Sequence, residues 1–487
     1  MARIDEQILI AGGVLLVAVA SAVATRRARF PLLVTFLGLG MLLGSEGVGG
    51  IYFDDAELAR SIGIVGLIAI LFEGGLTTEW RDVRPVVGPA FLLSTVGVVV
   101  TMAVTGVAAN LLFDFSWTES FLLGAVVGST DAAAVFATLR FTRLRRRLAS
   151  LLASESGLND PTAVALTLGL IAWVEHRDYG AGDLAALLAR QLGLGLVIGL
   201  ALGFVASRTL PRMPTELAPF APVASVAVAA LAYGVAASAH GSGFLSVYVV
   251  ALWLGNTPMP LRRTIVSFHE GLAFLAQVVL FIVLGLLVFP SRLPHVALAG
   301  LGLTAVLIFV ARPVAVWAST AALRRFNRRE RLLLGWAGLR GAVPIVLGTF
   351  VLSSHVRSSD TIFNAVFFVT LVSTLAQGMT LEPFARRLGL TTEARPFYSP
   401  PVEIEAIRAL GGDMLEYEVG HDDAIVGSFI RDLDIPREAI VMLIVRDESG
   451  IPPRGSTSIE AGDRLYILVR GEARAAVEAA IGRWGEV

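Results

Sequence analysis

Stretches of about 20 apolar residues recur along this chain, and that recurrence decides most of what it can fold into. A hydrocarbon core about 30 Å thick takes about 20 residues of helix to cross. Thirteen segments qualify: 7–24, 31–50, 58–76, 85–111, 119–139, 148–174, 183–206, 218–238, 242–257, 269–289, 295–320, 331–352 and 360–384, the ninth being short. In lipid each segment must satisfy its own backbone N–H and C=O groups, so such a chain becomes a bundle of helices. Of the 487 residues 55% are hydrophobic and only 16% charged, where a soluble domain has about a quarter. The first stretch, ending in "ASAVAT", has some marks of a signal peptide. Its basic cluster follows the apolar run instead of preceding it, as in a retained first helix.

The connecting loops alternate in charge. Those after odd-numbered spans carry arginines, among them Arg26, Arg27 and Arg29, "RFTRLRRR" (140–147) and "RRFNRRER" (324–331). Those after even-numbered spans carry Glu46, Asp54, Asp55 and Asp114, with few bases. Basic loops stay in the cytoplasm, which puts the amino terminus outside and everything after residue 385 inside. Residues 1–388 then form a transmembrane domain, 389–401 a linker ("GLTTEARPFYSPP") and 402–487 a small polar domain. In the last, the short alternating runs "MLEYEV", "AIVMLIV" and "DRLYILV" and a closing helix "GEARAAVEAAI" predict an α+β fold. The sequence has no cysteine, which excludes disulfides and thiolate chemistry, and no lysine, so all 39 basic residues are Arg.

Charges at bilayer depth are costly and mark function by default. Well inside the spans lie four acids, Glu73, Asp131, Glu155 and Asp160, and two bases, Arg312 and Arg340. Two guanidiniums neutralise only two of the four carboxylates, so one or two carboxylates must be protonated or hold a cation. Asp160 lies roughly 18 Å along its helix from Leu148 at 1.5 Å per residue. Ser156, four residues earlier, shares its face, and Asn159 lies beside that face. Such oxygens suit a hard monovalent cation and not a soft transition metal.

The fifth span contains "GSTDAA" and the twelfth "AGLRGAVP", each a polar break near mid-membrane. They are seven spans apart, so they run in opposite directions, the sequence signature of inverted repeats whose discontinuous helices cross at a binding site. Asp131 suits the exposed N–H ends of half-helices there, and Arg340 the carbonyl ends. Gly195, Gly199 and Gly203 mark close helix packing or a dimer contact. The scattered histidines, His240 and His269 included, read as loop or interface residues.

"FEGGL", "GSTDAAAVF", "ESGLNDPTA" and "GLRGAV", in this order and on these spans, resemble the NhaP-type sodium or potassium/proton exchangers of the monovalent cation:proton antiporter superfamily. The resemblance covers roughly residues 7–385. It implies that Asp160 binds a monovalent cation and a proton in competition, and that Ser156, Glu73 and Thr130 complete the cation site. It further implies that Asn159 holds the helix contact where electrogenic relatives have a second Asp, that Glu155 pairs with Arg312, and that Asp131 pairs with Arg340. The family often has Pro where this chain has Ala132, which affects the shape of that break.

The tail, "GHDDAIVGSFIRDLDIPREAIVMLIVRDESGIPPRGSTSIEAGDRLYILV", resembles the TrkA-C lobe of regulators of potassium conductance, with its order of helix, two strands and proline-glycine turn. That resemblance implies a homodimeric regulatory lobe for a small effector, a nucleotide such as cyclic di-AMP being one choice. No glycine-fingerprint lobe precedes it, so NAD or ATP is not implied. The expectation is an all-α polytopic plasma-membrane protein with about thirteen helices, inverted repeats and two crossing discontinuous helices, plus a small cytoplasmic α+β domain. It would exchange K⁺, with Na⁺ open, for H⁺ electroneutrally, without a cofactor. The alternative is a cation channel or uniporter gated by the same tail. No nucleophile with its base, metal set or phosphate loop supports an enzyme, and nothing points to nucleic acid.

Overall fold

The computed structural model describes residues 5, 9, 12–21, 31–131, 135, 143–176, 178–213, 217, 220–259, 262–321, 323, 326–392, 412–421, 423–446, 449–470 and 473–485. The expected basic loop at Arg26, Arg27 and Arg29, Ala132 and most of the 389–401 linker lie outside these residues. The chain divides into two compact units, Met1–Thr392 and Glu393–Val487.

The first unit is helical: α1 (Gly12–Ser21), α2 (Leu32–Leu43), α3 (Ala56–Thr77), α4 (Trp80–Leu112), α5 (Trp117–Val126), α6 (Arg146–Glu175), α7 (Ala181–Arg212), α8 (Ala221–Ser238), α9 (Gly243–Gly255), α10 (Arg262–Leu286), α11 (Pro290–Thr320), α12 (Arg328–Trp336), α13 (Ala342–Leu352) and α14 (Ser359–Arg387). Among the described residues eight of these, α3, α4, α6, α7, α8, α10, α11 and α14, are long and apolar enough to cross a membrane. The others are short for physical reasons. Helix α9 has 13 residues and is almost wholly buried within the protein, so its length need not match the lipid. Helix α5 stops at Val126, and α12 and α13 are two pieces of one expected span.

Local sequence sets these ends. Asp55 accepts from Leu58 N–H at 2.8 Å to start α3. Helices α5 and α12 each open on a capping box, Ser116 with Glu119 and Asn327 with Glu330. The likeness extends one span back. Helix α4 carries a π turn at Leu93–Gly97, and α11 carries one at Leu307–Ala311, just before Arg312. Paired irregularities at the same seven-span offset as the two breaks are what an inverted repeat requires.

Small residues let α7 and α9 meet closely. A side chain at Gly195 would meet the Ser242 carbonyl at 2.7 Å, one at Gly199 the Val249 side chain at 2.9 Å, and one at Gly203 Trp253 at 3.1 Å. His269, expected at a loop or interface, is instead buried in α10 and lies 2.8 Å from the Ser225 hydroxyl of α8.

Two short strands, β1 (Arg143–Leu144) and β2 (Thr391–Thr392), pair antiparallel, Arg143 opposite Thr392 and Leu144 opposite Thr391. Arg145 N–H donates to the Leu390 carbonyl at 3.2 Å, and buried Leu144 and Leu390 anchor the clip. The start of the expected linker is therefore tied to the entrance of α6.

The second unit is a four-stranded antiparallel sheet of β3 (Gly412–Glu418), β4 (Ala439–Arg446), β5 (Ser449–Ile451) and β6 (Arg464–Arg470), in the order β3-β6-β4-β5, with α15 (Arg474–Gly482). Leu415 pairs with Ile467, and the β4–β6 register shifts between Val441 and Leu443. Alternation puts Leu415, Tyr417, Leu465, Ile467 and Val469 into one core with Val477, Ile481 and Trp484. The helix expected at the start of this lobe is absent from residues 423–432, which form turns and one 3-10 turn at Ile430–Asp432.

Candidate cation site

Helix α6 is the axis of the site. At about 100° per residue the side chains follow one another around it in the order Glu155, Asn159, Ser156, Asp160, Gly157. Each meets a different neighbour.

Glu155 meets Arg312 of α11, Oε1 to Nη1 2.5 Å, with exposures of 1% and 3%. This is a buried ion pair with a fixed counter-charge. Asn159 and Ser156 meet the break after α5. Asn159 Nδ2 donates to Thr130 Oγ1 at 2.6 Å, and Ser156 Oγ donates to the Thr130 carbonyl at 2.9 Å. Helix α6 thus holds Thr130 from two sides, with Asp160 next on the same surface. Asp160 is buried, and its Oδ1 has no hydrogen-bond partner among the described residues.

The two breaks are joined through their backbones. Asp131 N–H donates to the Leu339 carbonyl at 2.9 Å. Arg340, 1% exposed, donates from Nη1 to the carbonyls of Gly128, at 3.0 Å, and Ser129. Those carbonyls follow the end of α5, where the helix leaves acceptors unsatisfied and a cation is favoured. The Asp131 carboxylate lies against Gly341, where a side chain would fall on top of it, at the amino end of α13. The acid faces N–H groups and the base faces carbonyls, so each half-helix end meets a charge of the favourable sign. Thr374 of α14 donates to the Arg340 carbonyl at 2.6 Å and fixes that break from a third side.

Thr130, Ser156, Asn159 and Asp160 are therefore gathered together. Glu73 is half-buried on α3, and among the described residues no hydrogen bond joins its carboxylate to that group. Charges nearer the span ends add to those read from sequence: Arg60 of α3 stacks over the Phe350 ring at 4.3 Å.

Two features of the site went unread. Pro161 lies inside α6 and has no N–H, so the Gly157 carbonyl loses its helical donor. Tyr248 of α9 packs its phenol against Gly157 so closely that a methyl there would overlap the ring. Pro161 inside the quoted motif was the available signal for the first. Nothing in the sequence links Tyr248 to position 157.

Known proteins resemble this chain. The family described as sodium/hydrogen exchanger, transmembrane, matches residues 14–387, and the TrkA-C domain matches 414–482. A protein named K(+)/H(+) antiporter NhaP2 from Shewanella sp. (strain MR-4) is 36% identical over 444 residues, covering 91% of this chain and 77% of that one. The K(+)/H(+) antiporter NhaP of Alkalimonas amylolytica is 35% identical over 476 residues, covering 96% and 82%. The solved sodium proton antiporter MjNhaP1 from Methanocaldococcus jannaschii at pH 8 superposes with a TM-score of 0.68 at 22% identity, over 79% of this chain and 99% of that one, which shows a common fold. From its broken, crossing spans to its appended lobe, this multi-pass membrane protein belongs to the sodium/hydrogen exchanger family and carries a TrkA-C domain.

Proposed function

We propose that the protein exchanges a monovalent cation for a proton by alternating access, one for one, with K⁺ as the preferred cation. The observation that carries this reading is the buried Asp160 carboxylate, whose Oδ1 has no hydrogen-bond partner among the described residues, on the helix that holds the Thr130 break through Ser156 and Asn159. An ionised carboxylate at that depth is costly unless something neutralises it. A proton does so, and so does a cation held by the carboxylate and nearby oxygens. Each displaces the other, and the bare anion is the state that does not cross.

Charge balance makes the exchange electroneutral. Glu155 and Arg312 cancel, and Asp131 and Arg340 sit at helix ends of opposite sign, so the site carries the same charge loaded with K⁺ or with H⁺. Glu73 serves as a second carboxylate at the mouth of the site. The Shewanella and Alkalimonas relatives are named K(+)/H(+) antiporters, which favours K⁺, and the TrkA-C domain accords with a potassium system. We place the amino terminus outside and the C-terminal unit in the cytoplasm of a homodimer. That unit regulates transport through the β1–β2 clip, because the segment leading to it is paired with the entrance to the Asp160 helix.

Proteoliposomes with an imposed pH gradient test this. Adding K⁺, Na⁺ or Li⁺ is expected to dissipate the gradient, K⁺ at the lowest concentration, at a rate indifferent to a clamped membrane potential. Full exchange by Asp160→Asn, or a rate that follows the potential, would overturn the reading.

A further inference from the structure

Tyr248 touches both helices carrying the candidate carboxylates. A side chain at Gly75, two residues past Glu73 on α3, would meet the Tyr248 carbonyl at 2.9 Å; one at Gly157, three residues before Asp160 on α6, would lie 2.8 Å from the phenol oxygen. Tyr248 is 4% exposed, and its hydroxyl makes no well-formed hydrogen bond among the described residues, the Thr78 side chain being a nearby polar group that interacts with it. A buried hydroxyl left this way costs free energy that folding alone does not recover.

The orphan lies where a second one has been made. Because Pro161 has no N–H, the Gly157 carbonyl lacks its helical donor at the point where the phenol packs. Around α6, Asp160 is about 40° from Ser156 on one side and about 60° from Gly157 on the other. The Thr130 break fills the first side, and Tyr248 with the Gly157 carbonyl fills the second. Hard cations of this class are held by several neutral oxygens besides the carboxylate. A phenol oxygen without a well-formed hydrogen bond and a carbonyl without its helical donor, three residues before Asp160 on α6, are oxygens such a shell can use.

We propose that Tyr248 is a specificity-determining residue of the cation site, its hydroxyl and the Gly157 carbonyl freed by Pro161 forming the neutral-oxygen wall on the α9 side of Asp160. This rests on Asp160 being the exchange site. Tyr248 belongs to a helix outside the two breaks, so the wall closes over the cation only when α9 and α6 are in register, and the affinity of the site depends on that contact.

The test uses the full chain in proteoliposomes, with half-saturating concentrations and maximal rates measured for K⁺, Na⁺ and Li⁺, and thermal melting of the detergent-solubilised protein as the check on folding. Tyr248→Phe keeps the ring and removes the oxygen. It is expected to keep the maximal rate within about twofold, to raise half-saturating K⁺ by roughly three- to tenfold, the loss of one modest polar contact, and to change the K⁺:Na⁺:Li⁺ ratios. Pro161→Ala returns a donor to the Gly157 carbonyl and is expected to raise half-saturation in the same direction. Parental half-saturation and ion ratios in Tyr248→Phe overturn the proposal, and if that variant does not fold, parental values in Pro161→Ala do so. Asp160→Asn separates the two levels: full exchange by that variant refutes the site itself, whereas its loss beside a parental Tyr248→Phe refutes only the role of Tyr248.

Discussion

Glu155 and Asp160 are two buried carboxylates on one helix, five residues apart, and they differ in every respect that matters to function. At about 100° per residue they point about 140° apart. Glu155 therefore looks towards α11 and meets Arg312, while Asp160 lies on the flank of α6 between Ser156, which bonds the Thr130 carbonyl, and Gly157, which packs on Tyr248. One has a permanent counter-charge, and the other lies near the like charge of Asp131. A carboxylate with a fixed guanidinium has no reason to release it for a proton or a cation. A buried carboxylate without a counter-charge calls for one or the other.

The widest separation of the two comes from removing each charge in turn. Asp160→Asn keeps the volume and removes the carboxylate, so under the proposed mechanism exchange is expected to fall to about 1% of the parent or less, with melting in detergent nearly unchanged. Glu155→Gln leaves Arg312 buried without its counter-charge, at a cost of about 3–5 kcal/mol. The expected result is a large drop in melting temperature and in folded yield, with the cation half-saturation of the surviving protein as in the parent. A Glu155→Gln protein that melts normally but has lost cation selectivity would reverse the assignments.

A sharper form replaces both partners. Glu155→Leu with Arg312→Met removes the charges together and leaves no orphan, which in buried pairs is commonly neutral or stabilising by about 1–4 kcal/mol. The double variant is expected to melt at least as high as Glu155→Gln alone and to regain folded yield. If it melts as low as the single variant, the pair does more than cancel charge.

Much of this was readable from the chain because membrane burial makes polar residues conspicuous. Asp160, Ser156 and Asn159 lie within five consecutive residues of an apolar segment, and the polar breaks at "GSTDAA" and "AGLRGAVP" contrast with the spans around them. The Glu155–Arg312 contact came from the resemblance, since charge counting alone pairs either arginine with any acid. Three features stayed hidden. The π turns at Leu93–Gly97 and Leu307–Ala311 depend on packing between distant helices, Gly97 lying against Ser319, and not on local composition. The β1–β2 clip has two residues per strand, too few for any alternation to show. The contact of Tyr248 with Gly157 joins positions about 90 residues apart by a missing side chain, which a single sequence does not reveal.

The C-terminal unit offers a buried carboxylate of a third kind. Asp463 is fully buried, accepts from Arg446 Nε and Nη2 at 2.8 Å each, and accepts from Glu460 N–H at 2.9 Å. Burial pushes its carboxyl up, but the hydrogen bonds from Arg446 and Glu460 and the Arg446 charge outweigh that and hold it below the usual carboxylate range. The folded unit therefore binds this proton more weakly than the unfolded chain does. Its stabilising contribution is complete above the unfolded value of about 3.9 and is lost as pH falls through the lower folded value. Amide hydrogen exchange across residues 457–470 in the full chain is expected to show constant protection from neutral pH down to about 4, then a decline. Asp463→Asn is expected to lower protection by about 1.5–3 kcal/mol at neutral pH and to remove the acid-dependent part of the decline due to this group. If Asp463→Asn shows the same fall below pH 4 as the parent, another carboxylate carries it. Asp463 would then resemble Asp160 in burial only, and hydrogen-bond satisfaction would not be what separates a structural acid from an exchanging one.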